Sequence, residues 1–307
     1  MNPVFTHFFA YLFDARQIII YNIFNLFDAR QMNGGMAMDN KVILEKQDLT
    51  YLKWSHIRSS SGTAGTFLKS ESVLNGVKKY YKLSNFDTVR GVVGHECVNE
   101  IIVDRLLTLL GVEHLNYELI NADIEIEGNI YNTYLCASDD FKKRGESKIA
   151  LDDYYRANAL EKESHYDFCV RCGWKDYIDT MIAVDYIILN RDRHGANIEV
   201  LRNARAHTLR IAPLFDHGLS LMYSCMTDED VEAFDILEDK RCQNFIGTYS
   251  CFDNLKLIKK RKNVFSGSLK PDDKEYIFDG MENVLSDVFI EKIWNMIYER
   301  YKIYENL

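Results

Sequence analysis

The sequence predicts an α+β protein of two lobes, a small antiparallel β lobe carrying one helix and a larger, mainly helical lobe. Three observations carry this. Two pairs of short apolar runs each meet at a glycine-containing turn, Asn75-Gly76 and Gly128-Asn129. One long apolar-periodic stretch, "GHECVNEIIVDRLLTLLGVEH", lies between the pairs. Beyond Asp140 the pattern is helical, apart from one hairpin-like insert at Asn197–Asp216.

The chain has 307 residues, 47% of them apolar and 27% charged, enough for an extensive core and too apolar for disorder. A net charge of -9 argues against nucleic acid as the principal partner, because phosphate neutralisation needs a basic face. No run reaches the ~18 apolar residues of a membrane span, and the N-terminus lacks the basic region of a signal peptide. Seven cysteines, an odd number without metal-site spacing, read as free thiols of a reducing compartment. Cys169 and Cys172 form C-x-x-C, read as a structural thiol pair. A cytoplasmic location follows, and a secreted effector is compatible with the same features.

Residues 1–38 carry "LFDARQ" twice, at Leu12 and Leu26, a period of 14 that keeps both copies on one helix face. They are expected to be a helical extension or leader. The small lobe is expected over 39–136 and the large lobe over 137–307. In the small lobe, "SSSGTAGTFLKS" is a small-residue loop entering a short strand. "VKKYYKLSNF" is a second strand, on which Lys82 shares a face with Tyr80 and Ser84. The helix follows and ends at Gly111. "YELINADI" and "NIYNTYLCAS" complete the lobe.

Chemistry concentrates in "IILNRDRHGANIEVL", where an apolar helical pattern runs into a loop dense with charge. Asp192 and Asn197 are spaced D-x-x-x-x-N, the spacing of a protein-kinase catalytic loop. The insert after it ends at "APLFDHG", which returns Asp216 beside the loop as a second carboxylate for a magnesium ion. His194 is expected to orient the loop or Asp216. Gly62 and Gly65 let backbone N–H groups approach phosphates. Glu100 lies on the apolar stripe of its helix with Val103, Leu107 and Leu110, where a carboxylate needs a cation. Lys82 is the candidate. Glu96 shares the face, and spacing does not separate the two.

Together, "NRDRHGAN", "APLFDHG", "YYKLSN" and "VNEIIVDRLLTLLG" resemble the HipA-like serine/threonine kinases, in particular their compact CtkA-type members. The D-R-H-x-x-N core is shared with phosphatidylinositol 3- and 4-kinases. The resemblance covers about Ser59 to Leu257 and implies a protein-kinase-like fold using ATP and magnesium, with manganese as an alternative. It favours Glu100 as the partner of Lys82. By it Asp192 is the catalytic base and Asn197 and Asp216 hold the metal. The loop Ser61, Gly62, Thr63, Ala64 and Gly65 covers the phosphates. "YLCASDD" is the inter-lobe hinge, whose backbone, at Leu135 and Ala137, meets adenine and whose Asp139 or Asp140 reaches the ribose. The acceptor is a protein Ser or Thr. A longer N-terminal domain is missing from the pattern, so pairing with an antitoxin is not carried over. The acidic segment "TDEDVEAFDILEDK" disfavours the rival reading, a phosphoinositide or other small-molecule kinase. A catalytically silent nucleotide-binding scaffold is the other rival.

The resemblance also implies autophosphorylation of the glycine-rich loop, at Ser59, Ser60, Ser61, Thr63 or Thr66. A phosphate there would compete with ATP for the same backbone donors. Aspartate at the modified position is expected to weaken ATP binding, measured by titration of the purified variants. Unchanged affinity at all five positions would count against that form of control.

Overall fold

In a computed structural model the described residues are 41–55, 67–74, 76–258 and 263–307. The N-terminal extension, Asn75 and the Ser59–Thr66 loop lie outside them. The small region is a five-stranded sheet of β1 (Val42–Asp48), β2 (Lys69–Leu74), β3 (Val77–Leu83), β4 (Glu118–Ile126) and β5 (Asn129–Asp139), ordered β1-β4-β5-β3-β2. Four of its strands pair antiparallel as expected, but β1 was not foreseen. It runs parallel to β4, with Val42 opposite Leu119 and a register shift before Gln47. A purely antiparallel lobe is therefore corrected to a mixed sheet with one parallel edge.

The β4–β5 turn also differs from expectation by one residue. Ile126 pairs with Asn129, so the loop is Glu127-Gly128, both at positive φ (52° and 81°). That is the backbone of a type I′ turn, whose right-handed twist matches the strands. Glycine takes its second position, and Glu127 is held left-handed by the ladder on either side.

Alternation along the strands divides the sheet's two faces. Tyr81, Leu83, Ile120, Ile124, Leu135 and Ala137 turn to one side and form a small core with Leu49, Leu52 and Leu68. Leu119 and Cys136 turn the other way, onto α1 (Glu96–Leu109). No proline or glycine interrupts α1, and its residues from Glu96 to Leu107 are all buried. It ends on Gly111 at φ 66°, with Gly111 N–H bonded to the Thr108 carbonyl and Val112 N–H to Leu107. This is the Schellman arrangement expected of a C-terminal glycine. A side chain at 111 would also collide with Ser266 Oγ, 2.1 Å from the position of a Cβ.

The apolar residues of α1 belong to the larger core, which they share with the helices that follow. That part begins with the three-stranded antiparallel sheet of β6 (Ser147–Ala150), β7 (Glu199–Asn203) and β8 (Thr208–Ile211). The β7–β8 pair is the expected insert. Around it lie α2 (Leu151–Asn158), α3 (His165–Arg171), α4 (Lys175–Ile187), α5 (Asp228–Ala233), α6 (Cys251–Leu255), α7 (Asp273–Phe278) and α8 (Asp287–Glu305). Ser164, Thr227, Ser250 and Ser286 cap α3, α5, α6 and α8 through their hydroxyls. Arg300 of α8 is buried and donates to the carbonyls of Tyr186, Ile236 and Glu238, which fastens the acidic segment to the end of α4. Among the described residues no helix is long and apolar enough to cross a membrane. Cys169 is buried and its thiol is pushed up to about 12 by that burial, as suits a packing role.

His95 precedes α1, buried with its ring edge-on to Phe289 of α8 at 5.2 Å. Burial outweighs a bond to the Met222 backbone and lowers its pKa from 6.5 to about 4. Between those values only the unfolded chain takes up the proton, so stability is lost as pH falls from about 6.5 to about 4. We expect His95→Phe to remove a share of about 3 kcal/mol from the difference in unfolding free energy between pH 7 and pH 4, read by urea denaturation.

Candidate functional site

A cavity of about 560 Å³ opens against β3, β5 and the segment after β8, lined by Tyr80, Lys82, Cys136, Ser138, Phe141 and Asp216 among others. Its charged end is built from three distant parts of the chain. Lys82 Nζ lies 2.9 Å from Glu100 Oε1 and 2.6 Å from Asp216 Oδ1. Burial opposes the Lys82 charge, but the carboxylates of Asp216 and Glu100 outweigh it and hold the pKa well above the ordinary lysine value. Glu100, fully buried, also accepts the N–H groups of His217 (2.8 Å) and Gly218 (3.1 Å). The structure thus selects Glu100 over Glu96, whose carboxylate instead takes the Asn85 N–H at 3.2 Å.

The backbone around Asp216 is shaped to this contact. Asp216 sits at φ 61°, left-handed and strained for a residue with a Cβ, and its N–H donates to the Tyr117 hydroxyl at 3.3 Å. A Cβ on Gly218 would lie 3.2 Å from Lys82 Nζ and 3.3 Å from the Glu96 carbonyl, so glycine lets the chain pass. Asn99, beside Glu100 on α1, donates to the carbonyls of Gly218 and Ser220. The His217 imidazole is fully buried, and burial together with the nearby Arg193 keeps its pKa well below the usual value, hence neutral.

Asp192, His194 and Asn197 form a second group. Asn197 donates its side-chain amide to the Asp192 carbonyl at 3.0 Å, closing the loop across the spacing that drew attention in the sequence. His194 Nδ1 accepts the Ala196 N–H, and its Nε2 stands 3.6 Å from Asp192 Oδ1. It therefore faces Asp192, not Asp216. A Cβ at Gly195 would fall 2.1 Å from Asp152 Oδ1 of α2, so a side chain there would have to displace that carboxylate.

Arg193, which the sequence did not single out, joins the two groups. Fully buried, it meets Asp185 of α4 through Nε (3.2 Å) and an Nη (3.1 Å). Its other Nη donates to the Phe215 carbonyl at 2.7 Å and, at 3.4 Å, to that of Asn197. One guanidinium thus holds the loop of Asp192 and Asn197 against the residue preceding Asp216. An i, i+8 pair across the end of a helix has no sequence period, which is why pattern reading passes over it.

In the hinge segment Leu135 and Ala137 turn their side chains into the small core, which leaves only their backbone for a base, while Cys136 and Ser138 line the cavity. Asp139 lines the cavity. Asp140 lies at its edge, engaged by Lys148 at 3.3 Å and by the Tyr80 hydroxyl at 3.5 Å. Lys148 stands over the Phe141 ring, 4.1 Å from its centre. Ser61, Gly62, Thr63, Ala64 and Gly65 lie outside the described residues. Among the described residues no three His, Cys, Asp or Glu side chains are grouped to hold a metal. A magnesium ion shared with phosphates asks for only one or two protein oxygen donors; Asp216 offers one in the cavity wall, and Asn197 is not among the lining residues.

No protein-family model matches the chain, and no curated protein matches it. Among solved structures it is similar to the Helicobacter pylori proinflammatory kinase CtkA, at 17% identity and a TM-score of 0.55, over 85% of this chain and 97% of that one. The likeness shows a shared protein-kinase-like fold. HipA from a Shewanella oneidensis toxin–antitoxin complex with HipB and operator DNA (13% identity, TM-score 0.38, 82% of this chain and 68% of that one) is more distant. So is the Golgi casein kinase (12%, 0.39, 80% and 70%).

Asp185→Ala leaves the Arg193 charge buried without its carboxylate and is expected to destabilise the protein by about 3–5 kcal/mol. Asp185→Leu combined with Arg193→Met removes both charges and should recover a large part of that loss. Guanidinium denaturation of the two variants beside the parent decides it.

Proposed function

We propose that the chain is an ATP- and magnesium-dependent serine/threonine protein kinase of the HipA-like type, transferring the γ-phosphate of ATP to a protein hydroxyl. The observation that carries this reading is the Lys82–Glu100–Asp216 contact at the end of a cavity, tied by Arg193 to the Asp192–Asn197 loop. Lys82 is cationic across the physiological range and suited to phosphate oxygens. Glu100 holds it in place. A magnesium ion, held by Asn197 and Asp216, would supply charge neutralisation for the phosphates. Asp192 accepts the hydroxyl proton and aligns the acceptor, and His194 fixes the carboxylate's orientation from the side.

Phosphoryl transfer asks a protein for positioning and electrostatics more than for covalent chemistry. Two buried ion pairs that lock three chain segments supply that positioning. The aromatic walls of the cavity, Tyr80, Phe141 and Phe215, suit a flat base, and Asp139 or Asp140 suits a ribose hydroxyl. The glycine-rich loop between Ser59 and Thr66 would close over the phosphates.

Radiolabelled ATP with magnesium, offered protein and phosphoinositide acceptors in parallel, is expected to label protein only. Asp192→Ala and Asp216→Asn should each lower transfer by about 100-fold or more while each variant remains folded by circular dichroism. Near-normal turnover in either variant defeats the assignment, and labelled lipid alone would move it to the small-molecule kinases.

A further inference from the structure

Two cysteines stand beside Lys82 and take no part in the proposed transfer. Cys136 is the direct ladder partner of Lys82, and directly opposed residues share a face of the sheet. Cys97 lies in the first turn of α1, one helical turn before Glu100, against that same face. Both sulfurs converge on one atom, the Lys82 carbonyl oxygen, at 3.1 Å for Cys97 and 3.9 Å for Cys136. Both residues are otherwise buried, but Cys136 forms part of the cavity wall, where a molecule the size of hydrogen peroxide has a path to it.

We propose that Cys97 and Cys136 are a modification site, a dithiol that a hydroperoxide converts to a disulfide beside Lys82, disabling the charged end of the cavity. Cys136, the thiol in the cavity wall, meets the peroxide, and Cys97, buried behind it, is the resolving thiol. The Cys136 sulfur attacks one peroxide oxygen, the O–O bond breaks, and water leaves with the thiol proton, giving a sulfenic acid. Burial opposes ionisation of Cys97, but its neighbours Cys136 and Ser84 and the Lys82 ammonium outweigh it and hold the thiol below its ordinary pKa, which favours its attack in the second step. The Cys97 sulfur then attacks the Cys136 sulfur, the S–O bond breaks, and a second water carries off the Cys97 proton. The two thiols lose two electrons and the peroxide gains them.

A disulfide brings the sulfurs to about 2.05 Å and removes the S–H donor to the Lys82 carbonyl. The first turn of α1 is drawn toward β5, and Glu100 is displaced from Lys82 with it. That this weakens nucleotide binding rests on the proposed function; formation of the bond does not.

The experiment treats the full chain with graded hydrogen peroxide, caps remaining thiols with iodoacetamide, and maps peptides by mass spectrometry without reduction. We expect a Cys97–Cys136 linked pair that dithiothreitol dissolves, that is absent from Cys97→Ser and Cys136→Ser, and that forms more slowly with ATP–magnesium present. Loss of ATP binding should accompany it and reverse on reduction. Oxidation of the half-buried Cys172 with both thiols of the pair still recovered as alkylated free cysteines overturns the proposal, as does a sulfinic acid at Cys136 without the link. A linked pair whose formation ATP does not slow, in protein that does not bind ATP when reduced, upholds the dithiol and counts against the nucleotide reading alone.

Discussion

A buried lysine held between two carboxylates, one enclosed and one at a cavity wall, is the constraint from which the rest of this molecule's geometry follows. Lys82 and Glu100 come from a strand and the helix after it, and Asp216 from a loop more than a hundred residues further along the chain. Each charge is costly to bury alone, so none of the three elements is able to shift without stranding a charge. The backbone answers the same demand. Glu100 takes two N–H groups beyond the lysine, which requires the His217–Gly218 segment to wrap its carboxylate. Asp216 accepts a left-handed φ in consequence, and Gly218 is bare because Lys82 Nζ and α1 lie where a side chain would go.

Arg193 repeats the device within the larger lobe. Its partner Asp185 stands on α4, so the loop bearing Asp192 and Asn197 is referenced to the central helix of that region and not to neighbouring loops. The apolar packing serves the same end. The residues of α1 fall in the large core and not in the small one on the sheet's far face, so the element carrying Asn99 and Glu100 is held by the helices behind it. The sheet contributes Lys82 from one side and the large core contributes Glu100 from the other. Their meeting point is the end of the cavity.

Much of this was legible in the sequence wherever a local rule governs. A glycine at the end of an apolar stripe predicts the Schellman cap at Gly111, and a carboxylate on an apolar stripe predicts a cation, met by Lys82. The spacing of Asp192 and Asn197 is a single closed loop, seen as the bond between the Asn197 amide and the Asp192 carbonyl. What escaped was settled by tertiary context. β1 pairs in parallel with a strand some seventy residues later, and nothing local marks such a pairing. The choice between Glu96 and Glu100 depends on where β3 crosses α1. Arg193 was hidden for the opposite reason, since its neighbours Asp192 and His194 drew the chemical argument to themselves.

The placement of charge argues for a site in preference to a scaffold. Buried ion pairs are weak sources of stability, and apolar residues of similar volume often serve the fold as well or better. This protein nevertheless keeps two arrangements of that kind side by side, linked through the Phe215 and Asn197 carbonyls. Their inventory is two cations, Lys82 and Arg193, against three carboxylates, Glu100, Asp185 and Asp216. Glu100 and Asp185 are enclosed and fully engaged. The surplus negative charge therefore resides at Asp216, the one of the three that lines the cavity. A fold selected for stability alone would place it on the surface, where water screens it. It is held instead at the end of a cavity, beside a fixed ammonium and tied through Arg193 to the loop of Asp192, and the proposed function rests on that placement.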